Sequence, residues 1–164
     1  MAGTATPATT LLEKTKTPHH IHSYDHDPRA ESFGDEAVAA LASSTGVDAA
    51  QIFKTLVIKL DTGKLAVAVL PVPAKLSLKA AAGALGASKA VMAERADAER
   101  SSGYVFGGIS PVGQRKKLPT VIDSSALTWD RILCSAGRRG LEIELAPHDL
   151  GTLSKAVFAE IAAG

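Results

Sequence analysis

The stretch that decides the fold is Gln51-Ile-Phe-Lys-Thr-Leu-Val-Ile-Lys-Leu60, followed by Asp61-Thr-Gly-Lys64 and Leu65-Ala-Val-Ala-Val-Leu70. Two runs rich in aliphatic and β-branched residues flank a turn-forming Asp-Thr-Gly-Lys, which predicts two strands joined as a hairpin. Alternate residues of a strand share a face. Ile52, Lys54, Leu56 and Ile58 therefore fall together, with Lys54 as the charge among aliphatics. A cation on a buried-looking face is costly unless something compensates it. Either Lys54 sits at the strand end and snorkels its amine to water, or a ligand is its partner. Thr55 points the other way and can still present its hydroxyl near the strand end.

Outward from the hairpin, helices and strands follow in no strict βαβ rhythm. On the N-terminal side, Met1 to Thr6 reads as a frayed tail of small residues. Pro7 opens a helix that stops before Pro18, and His19 to Tyr24 is a short strand. A helix starting at Ser32, with Val38, Leu41 and Ala42 as its apolar stripe, closes at Gly46. On the C-terminal side, helices are expected over Ser77–Leu85 and Ala93–Arg100, with a brief strand at Val91–Met92. Strands are expected at Thr120–Asp123, Ile132–Ser135 and Leu141–Leu145, and a last helix from His148 to Ala162. The pattern predicts a single α+β domain over residues 7–164, with a mixed, curved or barrel-like sheet flanked by helices. Its 164 residues suffice for one core.

Composition narrows the function. Lys+Arg 18 against Asp+Glu 17 leaves a net charge of +1, so a bulk-charge nucleic-acid binder is not expected and any RNA contact must come from local patches. DNA is not an expected partner. The single cysteine, Cys134, excludes an internal disulfide and a multi-cysteine zinc site, and fits a reducing compartment. The apolar window Leu65–Ala74 is far short of the roughly 20 residues of a membrane span. With no targeting segment, the expected place is the cytoplasm.

Several other residues carry possible chemistry. Gly103-Tyr-Val-Phe-Gly-Gly-Ile-Ser-Pro-Val-Gly113 is rich in glycine. Paired Gly107 and Gly108 either make an ordinary turn or let backbone N–H groups approach a developing oxyanion. The segment lacks Gly-Lys-Ser/Thr, so it is not a phosphate-binding P-loop. His19, His20, His22 and His26 cluster, but no ligand set recurs at metal spacing, and neither metal nor cofactor is expected. Cys134 reads as a small core residue, since no base has diagnostic spacing to it. Ser135 lacks a nucleophile-elbow pattern and suits hydrogen bonding. The basic clusters Arg115-Lys116-Lys117 and Arg138-Arg139 each adjoin a glycine loop. They are solvated faces or, if both loops meet at one mouth, phosphate contacts.

Motif order carries a resemblance. His22-Ser-Tyr-Asp-His-Asp-Pro28, Phe33-Gly-Asp-Glu36, Phe53-Lys-Thr-Leu56, the glycine segment, Leu118-Pro-Thr-Val-Ile-Asp123 and Cys134-Ser-Ala-Gly-Arg-Arg-Gly-Leu-Glu-Ile-Glu144 follow one another along the chain. Together they resemble the YbaK/EbsC family of trans-acting aminoacyl-tRNA deacylases, related to the editing insertion of bacterial prolyl-tRNA synthetase. The YbaK branch, the Cys-tRNA(Pro) deacylases, is the nearest in pattern.

The resemblance implies a pocket for the aminoacyl end of tRNA. It matches Lys54 to the family's essential lysine, and Tyr24, Thr55, Gly107, Gly108, Ser110 and Ser135 to other pocket positions. Glu142 stands where relatives carry aspartate, one methylene shorter. The implied chemistry is attack of the substrate's own cysteine thiol on its ester, releasing a thiolactone and free tRNA. Gly107–Gly108 N–H groups would stabilise the oxyanion, and the two basic clusters would touch tRNA. A carrier such as prolyl-tRNA synthetase is an expected partner. Two other readings stand beside it: a water-using deacylase of Ala-tRNA(Pro) or another mischarged tRNA, and a non-catalytic module binding tRNA ends or a synthetase.

Overall fold

A computed structural model describes residues 5–25 and 33–163. Helix α1 (Pro7–Lys14) carries Pro7 in its first turn. Thr6, read from sequence as part of the tail, caps it: its Oγ1 accepts the Thr9 N–H and donates to the Ala136 carbonyl. Strand β1 (His20–Ser23) and helix α2 (Phe33–Thr45) follow; the expected helix start at Ser32 and His26 lie outside the described residues.

The hairpin forms as expected. Strand β2 (Phe53–Leu60) pairs antiparallel with β3 (Leu65–Pro71), and a one-turn 3-10 segment (Ala49–Gln51) takes what the sequence assigns to the start of β2. After a two-residue strand β4 (Lys75–Leu76) come α3 (Leu78–Ala84), β5 (Ala90–Met92) and α4 (Arg95–Ser102). Then come β6 (Thr120–Asp123), β7 (Ile132–Arg138), β8 (Leu141–Leu145) and α5 (Pro147–Ser154). Strands β9 (Val157–Ala159) and β10 (Ala162–Ala163) end the described chain.

Five strands form a mixed sheet in the order β5-β2-β3-β6-β9, with β3, β6 and β9 parallel. An antiparallel sheet β1-β8-β7 packs with it, and an isolated bridge between Ile52 and Leu133 joins the start of β2 to β7. The sheets are open rather than closed into a barrel. Phe53, Val57, Val69 and Ile122 share the main core with Ile132, Leu141, Ile143 and Leu145 of the second sheet and Leu12 of α1. On the other side of β2 and β3, Ile58, Ala66, Ala68 and Leu70 pack against Ala81 and Ala82 of α3. The hairpin strands are apolar almost throughout because both faces are covered.

The expected C-terminal helix His148–Ala162 is corrected: it stops at Ser154. Lys155 adopts φ +53° and caps it, and the chain doubles back so that β9 runs beside β6. The Phe158 ring lies over the helix at Gly151, where a Cβ would stand 2.7 Å from it. Asp123 then holds the last segment, accepting the Ile161 and Ala162 N–H groups at 2.9 and 3.1 Å.

Candidate active site

The start of β2 lies where the two sheets meet. There a cavity of about 390 Å³ is lined by Lys54 and Thr55 of β2, Tyr24 beyond β1, Ser135 of β7, Glu142 of β8 and Gly107 of the glycine segment. Six of the expected site residues thus come together from five separate parts of the chain.

Lys54 neither snorkels freely nor waits unpartnered. Its half-buried Nζ donates to the Ala74 and Val72 carbonyls at 2.7 and 3.2 Å. An ammonium has three N–H donors. Two hold it against the chain after β3, and the third remains for a ligand. Burial lowers the amine's pKa from its usual value, partly opposed by the charge of Asp35 in the first turn of α2. Beside it, the buried Thr55 Oγ1 has no hydrogen-bond partner among the described residues.

Across the cavity, the Leu-Glu-Ile-Glu-Leu alternation of β8 puts Leu141, Ile143 and Leu145 in the core and sends the two acids the other way. Glu144 pairs with His22, Oε1 to Nε2, at 2.7 Å. Glu142 lines the cavity at 5% exposure, and burial pushes its carboxyl up to about 8. It is therefore mostly protonated at neutral pH and can donate a hydrogen bond. Ser135 stands opposite it in the ladder, its Oγ accepting the Gly137 N–H at 3.1 Å. Tyr24 is anchored through its N–H to the Gly140 carbonyl, and burial, then the charge of Glu142, pushes its phenol up to about 12.

The glycine segment and the basic clusters contribute less than expected. Gly107, at φ +92°, lines the cavity, and among the described residues its N–H has no partner. Gly108 does not serve as a second donor: its N–H is given to the Val105 carbonyl at 2.9 Å. Its lack of a side chain answers packing, because a Cβ would stand 2.8 Å from Arg138 Cα. Ser110 is fully buried outside the cavity lining, its Oγ accepting the Val112 N–H. Arg115, Lys116 and Lys117 are exposed and border neither this cavity nor its neighbour. Arg139 is tied to Glu36 at 3.7 Å, and both Arg138 and Arg139 border the neighbouring depression. Cys134 is fully buried on the core side of β7, its thiol pushed up by burial and by Glu142.

Sequence reasoning missed Asp35 and Phe106, which also line the cavity. The signal for Phe106 was an aromatic residue directly before the paired glycines of the glycine-rich segment. The described residues hold no group of three or more His, Cys, Asp or Glu suited to a metal ion, and no helix among them is long and apolar enough to cross a membrane.

The family model of the aminoacyl-tRNA editing domain matches residues 35–153. EbsC of Enterococcus faecalis, provisionally named a Cys-tRNA(Pro)/Cys-tRNA(Cys) deacylase, is 36% identical over 156 residues, 95% of this chain and 92% of that protein. A crystal structure provisionally described as a trans-editing enzyme for prolyl-tRNA synthetase superposes with a TM-score of 0.83 at 22% identity, covering 100% of this chain and 99% of that one. A chain solved in work on grafting linear epitopes onto scaffold proteins also reaches 0.83, at 21% identity and the same coverage. At these identities the two structures speak for the fold.

Proposed function

The chain belongs to the aminoacyl-tRNA editing domain family, and from that premise we propose that it is a trans-acting deacylase that clears Cys-tRNA(Pro) by attack of the substrate's own thiol. The observation that carries this reading is that, among the described residues, the cavity holds polar groups but no nucleophile paired with a base. Ser135 Oγ is engaged by Gly137 N–H, Cys134 lies in the core, and no histidine is among the described residues that line the cavity. Burial raises the Glu142 carboxyl, so only a small fraction of it is ionised at neutral pH.

An aminoacyl ester is already activated. The cysteine thiol loses its proton, and the sulfur attacks the ester carbonyl. A C–S bond forms, the C–O bond to the terminal ribose breaks, and that oxygen leaves as a hydroxyl bearing the proton. The products are a four-membered thiolactone and free tRNA. The chain supplies orientation and charge stabilisation. The third N–H of Lys54 and the N–H of Gly107 are the donors for the carbonyl oxygen. Thr55, Tyr24 and Glu142 line the space for the aminoacyl group. The working unit is one domain over residues 7–164, acting in the cytoplasm. With a net charge of +1 its own grip on tRNA is modest, and prolyl-tRNA synthetase is the proposed carrier.

The test is a deacylation panel over Cys-, Ser-, Ala- and Pro-charged tRNA(Pro), with product analysis. Contact alone distinguishes sulfur from oxygen weakly, since even one methylene is worth only about 1–3 kcal/mol. A thiolate, unlike an alkoxide, is present at about a few per cent near neutral pH. Cys-tRNA(Pro) should be cleaved to thiolactone, faster as pH rises towards the thiol pKa of about 8.5, and Ser-tRNA(Pro) spared. Comparable cleavage of both, with free amino acid released, would defeat self-attack and favour water.

A further inference from the structure

The contacts of the Lys54 amine fix the direction of what it has left over. The Val72 and Ala74 carbonyls take two of its N–H groups, at 3.2 and 2.7 Å, and the remaining tetrahedral position of Nζ is left to the cavity that Lys54 lines. In the ammonium that position is an N–H, the donor for the carbonyl oxygen. In the neutral amine the two carbonyls still hold both N–H groups, so the same position is the lone pair. One proton thus separates a hydrogen-bond donor from a nucleophile, with no movement of the side chain. Among the described residues no carboxylate forms an ion pair with Lys54. Its burial lowers the amine's pKa, the ordinary way in which a lysine becomes nucleophilic. Of the titratable groups that face the cavity, Asp35 of α2 opposes this by its charge, whereas Glu142 of β8 and Tyr24 beyond β1 are both shifted up towards their uncharged forms.

We propose that Lys54 is a covalent capture site for thiolactones: in a fraction of turnovers the product acylates the amine against which it is formed. The inference rests on the self-attack reading of the deacylase. The thiolactone carbonyl is formed within hydrogen-bond distance of Nζ, because Nζ is a donor to that oxygen. Groups held together in this way react far faster than groups that must collide from solution. The neutral amine attacks the carbonyl carbon. An N–C bond forms, the C–S bond of the strained ring breaks, and the amine's proton goes to the departing sulfur. The result is an amide bearing a cysteinyl group with a free thiol, and no oxidant, reductant or further reactant is consumed. The amide has neither the charge nor the third donor of the ammonium, so each captured chain is an inactive one. Release of the ring into solvent competes with capture, and Asp35, by favouring the ammonium, shifts the balance towards release. The chain is thereby limited by its own product.

The test uses the full chain in two arms, both read by intact mass and peptide mapping. In the first, Cys-tRNA(Pro) is turned over at a series of pH values. An adduct of one cysteinyl residue at Lys54 is expected, and the remaining activity should fall in step with the adducted fraction. Its yield per turnover should rise by up to about tenfold per pH unit while the amine is mostly protonated. In the second arm homocysteine thiolactone, the stable five-membered homologue, is added to the free chain. Lys54 should be acylated about tenfold or more faster than the exposed Lys116 and Lys117. Lys54→Arg, whose guanidinium stays protonated, should show only the labelling of exposed lysines. If Cys-tRNA(Pro) is turned over to thiolactone and Lys54 carries no adduct, capture is wrong and the deacylase reading stands, whatever the second arm shows. If there is no turnover, the second arm decides. Preferential acylation of Lys54 would then keep the site and remove the deacylase reading, and labelling no faster than that of Lys116 and Lys117 would remove both.

Discussion

Glu142 and Asp123 are buried to the same degree, 5% and 4% exposed, yet end in opposite states. Asp123 sits at the end of β6. Burial alone would raise its carboxyl, but N–H groups of Ser125, Ile161 and Ala162 more than offset this and hold it below the usual range. Glu142 faces a cavity, accepts no hydrogen bond among the described residues, and is pushed up to about 8 by burial. One acid is satisfied by the chain and belongs to the fold. The other is left for whatever enters, together with the unpartnered Thr55 hydroxyl and the spare Lys54 N–H. Buried polar groups are normally hydrogen-bonded, so where several unsatisfied ones converge a ligand is the expected partner.

The largest effect expected on the cavity side is Lys54→Ala. Loss of a donor to the developing oxyanion should lower turnover about 100-fold or more. The melting temperature should hardly move, since water can take over the Val72 and Ala74 carbonyls beside the cavity. Near-normal turnover in single-turnover assays would remove Lys54 from the site. On the fold side, Asp123→Asn should do the reverse, destabilising by about 2–3 kcal/mol because charge-assisted bonds to the C-terminal segment are lost. Turnover per folded molecule should stay within about twofold, as nothing it holds touches the cavity. A denaturation curve and an active-fraction assay check both halves.

The two acids should also separate by pH. Asp123 has a depressed folded pKa, so its contribution is present above the unfolded value and lost as pH falls through the lower folded one. Glu142 has a raised folded pKa, so stability falls as pH climbs from 4.5 to about 8 and levels off beyond. That limb slopes by up to about 1.4 kcal/mol per pH unit. Glu142→Gln should abolish it, leaving a variant more stable than the wild type at pH 8 and similar to it at pH 4. An unchanged stability profile would mean that the carboxyl is ionised and has a partner.

Much of this was legible. The Asp-Thr-Gly-Lys turn between apolar runs specifies the hairpin, and strand alternation alone isolates Lys54. The strands Ile132–Ser135 and Leu141–Leu145 were legible too, but not the pairing that sets Ser135 opposite Glu142. What escaped depends on partners distant in sequence. Residues 157–159 become a strand because β6, more than thirty residues upstream, offers a parallel edge, and no local period announces that. The roles of Gly107 and Gly108 could not be separated, since only the fold gives one N–H to Val105 and leaves the other facing the cavity. Likewise nothing in Leu-Glu-Ile-Glu-Leu says which glutamate meets His22 and which is buried beside the cavity.

The smallest effect is expected at Cys134, and it draws the boundary between the two kinds of environment. Cys134 precedes Ser135 in β7, so one residue along the strand the chain passes from core to cavity. Its thiol is fully buried, and burial first, then the charge of Glu142, disfavours the thiolate. A nucleophilic cysteine needs the opposite environment, with a lowered pKa and access to the substrate. Cys134→Ala should therefore leave turnover within about twofold and cost about 1 kcal/mol or somewhat more, the loss of one small buried group. Folded protein treated with a thiol-alkylating reagent, then freed of it before Cys-tRNA(Pro) is added, should keep its deacylation activity. Complete loss of activity in a Cys134→Ala protein with a normal melting profile would make this thiol the nucleophile, and self-attack by the substrate would have to be abandoned.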